Sequence, residues 1–136
     1  MKLLALPLLL SLFTVSTSAS AASQQELAHA NAVYTDVLAK SMQHQVDVMV
    51  QGKTVSSCFD VQGGAVEIGA KWRHREVTFK CVAVDNDGFK SHFLFPLTVI
   101  QHCKQASPSQ QCAAVASQLD QAMMEQILEG EELGSL

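Results

Sequence analysis

The chain has 136 residues, with 13 acidic against nine basic side chains and a formal net charge of −4. That length suits one compact domain and not comfortably two, and the acidic balance argues against a nucleic-acid partner.

The first element is a targeting segment. Met1-Lys2 is a positive start, Leu3 to Val15 is a short apolar run, and Ala19-Ser20-Ala21 is a small-x-small cleavage site. The pattern predicts a secretory signal peptide over residues 1–21, removed to leave one domain over 22–136. The apolar run is shorter than the roughly 20 residues a bilayer crossing needs, so no membrane span is expected. No cysteine stands at the cleavage site to carry a lipid, and the expected location is periplasmic or secreted.

Ser23-Gln24-Gln25-Glu26 has the spacing of a capping box. Leu27, Ala30, Tyr34, Val37, Leu38 and Met42 then recur at helical intervals, which predicts a helix from about Gln24 to Gln43. From there the pattern shifts to period two. Val46, Val48 and Val50 make one run, Val55 to Val61 a second, Val66 to Trp72 a third and Val77 to Ala83 a fourth, with glycines between. Short alternating runs predict an antiparallel meander with one buried face. Asp85-Asn86-Asp87-Gly88 leads into Phe89, Ser91, Phe93 and Phe95. Setting these on the face of Val77, Phe79, Cys81 and Ala83 requires a hairpin loop of three or five residues. The acidic turn lacks the ligand spacing of a calcium loop.

Pro96 ends the last strand, because it has no ladder donor. Leu97, Ile100 and Cys103 allow a short helix or a turn. Ser107-Pro108-Ser109-Gln110 then starts a C-terminal helix expected from Pro108 to Glu129, carried by the stripe Cys112, Val115, Ala116, Leu119, Met123 and Ile127. The tail from Gly130 is expected to fray. The fold class is therefore α+β: an N-terminal helix, an antiparallel sheet of about four or five strands, and a C-terminal helix on one face. The helix-then-meander order resembles cystatin-like architectures in order alone. No cystatin motif is present and the C-terminal helix departs from that pattern, so the resemblance implies nothing about activity.

Four cysteines outside the cytoplasm predict two disulfides. Cys103 and Cys112 flank the Pro108 turn and pair by local spacing, which leaves Cys58 with Cys81. A simple meander would set the 65–72 run between the two cysteine strands. Next-nearest strands lie about 9.6 Å apart, whereas a disulfide needs Cα atoms within about 7 Å. Either Gly63 to Arg75 is an excursion or Cys58 sits at a strand end. Cys58 also alternates onto the polar side of Val55, Phe59 and Val61.

No cofactor, metal or catalytic set is expected. No C-x-x-C pair supports redox chemistry, and Cys103 beside His102, with His92 near in sequence, lacks zinc-site spacing. His29, three residues after Glu26, suggests a surface pair, and His44 falls at the helix end. Ser56-Ser57 carries no nucleophile motif, and Asp60 and Glu67 read as polar strand faces. The basic cluster Lys71, Trp72, Arg73 and Arg75 is a candidate binding surface; its ordinary reading is a solvated turn with Trp72 reaching the core. The leading expectation is a small exported protein, not an enzyme, that binds a partner protein as inhibitor, immunity protein or envelope accessory. One alternative is a small-ligand carrier with a cavity lined by Phe79, Phe89, Phe93, Phe95 and Trp72. Another is a hydrolase whose site is scattered through the sequence.

Overall fold

A computed structural model describes residues 23–105 and 110–131. The expected signal segment over 1–21, the Ser107-Pro108-Ser109 helix start and the last five residues lie outside the described residues.

The capping box forms as expected: Ser23 Oγ accepts from the Glu26 N–H, and the Glu26 carboxylate accepts from the Ser23 N–H. The helix it starts, α1 (Gln24–Val50), runs well beyond Gln43. Its buried stripe is Leu27, Ala30, Val33, Tyr34, Val37, Ser41 and Gln45. The last two members are polar, which hides the continuation from a hydrophobic pattern. Val46, Val48 and Val50 are therefore helical, and the strand expected there does not form. Gln51-Gly52 is the helix stop. The Gly52 N–H donates to Met49 O and the Lys53 N–H to Val48 O, with Gly52 at φ +80°. This paired bonding is a Schellman closure, which favours glycine in the left-handed region.

The strands divide into two sheets. β1 (Cys58–Phe59) pairs with β2 (Ala65–Val66) in an antiparallel two-stranded unit. β3 (Lys71–His74), β4 (Val77–Asn86) and β5 (Phe89–Pro96) form a three-stranded antiparallel sheet in that order. The expected 65–72 strand breaks at Gly69, whose φ is +88°. There Gly69 N–H donates to Cys81 O, and Cys81 N–H donates to Ala70 O. β3 lies at a sheet edge, so no strand separates the two cysteine strands. The Cys58–Cys81 disulfide closes with a Cα separation of 5.8 Å. Cys58 is fully buried, contrary to the alternation expectation, because β1 is too short for a face pattern to apply.

The β4–β5 hairpin also differs from expectation. Asn86 pairs with Phe89, leaving a two-residue loop, Asp87-Gly88, with φ of 54° and 83°. That is a type I′ turn, whose twist matches the flanking strands. The register sets Lys80 beside Phe95 and Cys81 beside Leu94. Matching apolar faces misled here because β5 is buried on both sides from His92 to Pro96. Lys80 tolerates its position because its ammonium donates to Ile127 O and to the Glu131 carboxylate.

Pro96 closes β5 and α2 (Leu97–Gln105) begins at once. The single C-terminal helix expected from Pro108 is broken into a 3-10 turn (Gln110–Cys112), α3 (Ala113–Ala116) and α4 (Gln121–Leu128). Two polar side chains explain the break. Ser117 Oγ donates to Ala114 O, and the Asp120 carboxylate accepts the Met123 N–H as the cap of a new helix. The second disulfide, Cys103–Cys112, joins α2 to this segment. Glu131, in the tail expected to fray, is held by Lys71 and Lys80. The core gathers α1, β4, β5, α2 and α4 around fully buried Val37, Phe79, Phe95, Leu97, Ile100 and Val115.

Candidate functional site

The side chains singled out by the sequence are mostly spent on structure. Asp60 accepts from the Gln62 and Gly64 N–H groups, which closes the β1–β2 turn. Asp85 accepts from the Gly88 N–H in the β4–β5 hairpin. His29 does not pair with Glu26; its Nε2 lies 2.9 Å from Arg75 O. His44 lies within α1, with Nε2 3.3 Å from Val61 O, and ties the β1–β2 unit to the helix. Both ends of each disulfide are occupied, so Cys103 offers no thiolate beside His102.

Strand geometry divides the basic cluster. Successive side chains of β3 point to opposite faces, so Lys71 and Arg73 part from Trp72 and His74. Trp72 stacks on His74 at 4.9 Å and meets Phe79 at 5.5 Å. Lys71 is paired with Glu131, and Arg73 donates to Thr78. Arg75 occupies the β3–β4 turn with φ of 49°. The five aromatic residues expected around a cavity are also dispersed. Phe79 and Phe95 are fully buried, Phe93 packs on Phe95, and Trp72 packs on Phe79. Phe89, by contrast, is exposed and lines an open space.

That space is a groove of about 760 Å³ between the end of α1, the 53–56 loop and the start of β5. α1 supplies Met42, Gln45, Val46 and Met49 to its wall; β5 supplies Phe89, Lys90, Ser91 and His92. Ile68 contributes from the turn after β2. The large apolar residues exposed among the described ones are Val46 (47%), Met49 (49%), Val50 (79%), Ile68 (54%) and Phe89 (62%). Four of these five line the groove, and Val50 follows Met49 at the helix end. Water contact at so many clustered apolar groups is unfavourable, and such patches mark interaction sites.

Two polar features sit in the wall. Gln45 is buried, and its Nε2 donates to His92 O. His92 is also buried, with no hydrogen-bond partner at Nδ1. Burial holds the His92 pKa below its usual value, and Lys90 acts in the same direction, so the ring is neutral at neutral pH. Among the described residues no group of His, Cys, Asp and Glu could hold a metal ion. No described helix is long and apolar enough to cross a membrane.

The groove was hidden in the sequence because its walls come from five separated stretches: 42–49, 53–56, Ile68, Ala83 and 89–92. One signal was available: once α1 continues past Gln43, Val46 and Met49 share a helix face three residues apart. Comparison with known protein families, with curated proteins and with solved structures returns no match.

Proposed function

We propose that this is an exported binding protein whose groove receives an apolar segment of a partner protein. The observation that carries this reading is the convergence of Val46, Met49, Ile68 and Phe89 on one open surface. A small-ligand site typically encloses 70–90% of its ligand. This groove instead lies open along the end of α1, and its apolar surface continues to Val50 beyond the lining. An occupant would therefore reach past the walls, as a chain segment does. The two disulfides support an oxidising compartment, and with it export through the expected signal segment.

The test is site-specific photocrosslinking in the native cell. A benzophenone side chain at Met49 or Phe89 should yield one discrete protein adduct, and the same probe at exposed Ala28 should not. A co-purifying small molecule that occupies the groove, or equal adducts from all three positions, overturns the reading.

A further inference from the structure

The sheet leaves one main-chain edge beside the groove. β5 pairs with β4 on one side and has no strand on the other. In a two-residue hairpin the closing pair, here Asn86 and Phe89, exchanges hydrogen bonds, and bonded and non-bonded pairs alternate from there. Ser91 and Phe93 therefore bond inward to β4. Lys90 and His92 turn their main-chain groups outward. Gln45 takes the outward carbonyl of His92, which confirms the direction. The outward groups of Lys90 run along the groove, where an extended chain could continue the ladder.

The charge around that edge is distinctive. The chain as a whole is acidic. Yet the described residues lining the groove include Lys53 and Lys90 and no carboxylate. Asp85 stands opposite Lys90 across the hairpin; its carboxylate accepts from the Gly88 N–H and forms no ion pair with Lys90. Along β5, Lys90 and His92 share one face, and Phe89 and Ser91 share the other. A strand added to the edge alternates in the same way. Side chains beside Lys90 then prefer negative charge, and their neighbours in sequence prefer apolar contact with Phe89.

Building on the groove reading above, we infer that the partner segment is an extended peptide in which acidic and apolar side chains alternate, added as a strand to the free edge of β5 at Lys90. Main-chain bonds supply affinity in this mode, and alternate side-chain sites supply specificity.

The experiment uses the oxidised mature protein and dye-labelled, end-capped peptides read by fluorescence anisotropy. The first has alternating Glu and Val; the second has Gln for Glu; the third is the Glu–Val peptide with alternate amides N-methylated. The acidic peptide should bind about three- to tenfold more tightly than the Gln peptide at low salt. That gap should close in K90M, whose side chain is exposed, and in about 0.5 M salt. N-methylation of the edge-facing amides should abolish binding, and methylation in the other register should not. F89S should weaken the acidic and Gln peptides together. Equal binding of those two peptides, both lost in F89S, overturns the inference and leaves the groove reading standing. Dodecanoate displacing the probe, or an N-methylated peptide that binds unimpaired in both registers, also overturns it. Failure of every peptide, with no photoadduct at Phe89, removes both.

Discussion

The two disulfides differ in what they hold, and the difference is measurable. Cys58–Cys81 closes a loop with a sequence separation of 23, and Cys103–Cys112 one of 9. Cross-linking restricts the unfolded chain by an entropy that grows with the logarithm of loop length. That relation assigns about 3.4 kcal/mol to the longer loop and about 2.6 kcal/mol to the shorter. Both are large fractions of a stability of about 5–15 kcal/mol. The longer bridge also has a local duty. β1 and β2 each have two residues and pair only with one another. They also contact α1, through His44 and the packing of Phe59, and β5, and β1 is bonded to Cys81. We therefore expect C58A/C81A to unfold in less urea than C103A/C112A, with a stability gap of about 0.8 kcal/mol between the two from loop length. In native-state hydrogen exchange, C58A/C81A should lose protection first in the β1–β2 ladder, before β4 and β5. A larger loss in C103A/C112A, or β4–β5 opening before β1–β2, would refute this account.

Three further outcomes follow from single side chains. Gly63 has φ of +88°, and a Cβ there would lie 3.2 Å from the His44 ring; Gly52 has φ of +80° with open space around it. G63A should therefore lower the melting temperature more than G52A, the shared cost being about 1–2 kcal/mol for an L-residue in the left-handed region. Equal shifts would show that the His44 contact yields freely. Hydrogen bonds from Lys71 and then Lys80 hold the Glu131 carboxyl below its ordinary 4.5, burial opposing them. A depressed pKa contributes stability above 4.5 that disappears as pH falls through the folded value. E131Q should thus be less stable than the parent at neutral pH, and the difference should vanish in acid; a pH-independent gap in urea midpoint would contradict this. Tyr34 is the only tyrosine in the chain, and burial raises its pKa from 10.0 to about 12. Its contribution is complete below 10 and is lost as pH rises through the folded value. Absorbance at phenolate wavelengths should stay flat past pH 10 and rise near 12 or with unfolding, whereas a midpoint at 10 would show an accessible hydroxyl.

Local chemistry made several elements legible. The Ser23–Glu26 capping box, the Pro96 strand end and the Cys103–Cys112 pairing each depend on residues close in sequence, so spacing alone carries them. The α+β class also followed from the switch between helical and strand periods. The misread elements share a different cause. α1 continues past Gln43 because Ser41 and Gln45 occupy its buried face, and an apolar pattern does not register polar residues turned inward. The β4–β5 register accepts Lys80 beside Phe95 because Glu131, some fifty positions later, neutralises the lysine. The C-terminal helix breaks where Asp120 caps a new one, although its apolar stripe runs on unbroken.

What the amino-acid sequence determined by itself was local: where helices begin, which cysteines lie within reach of a short loop, and the overall acidity. Only the tertiary structure decided which segments meet. It moved β3 to an edge so that Cys58 could reach Cys81, and it left the edge of β5 without a paired strand at Lys90. It also brought Val46, Met49, Ile68 and Phe89 from separate segments to one surface. Their exposure is a property of long-range packing, and no periodicity within a single element encodes it.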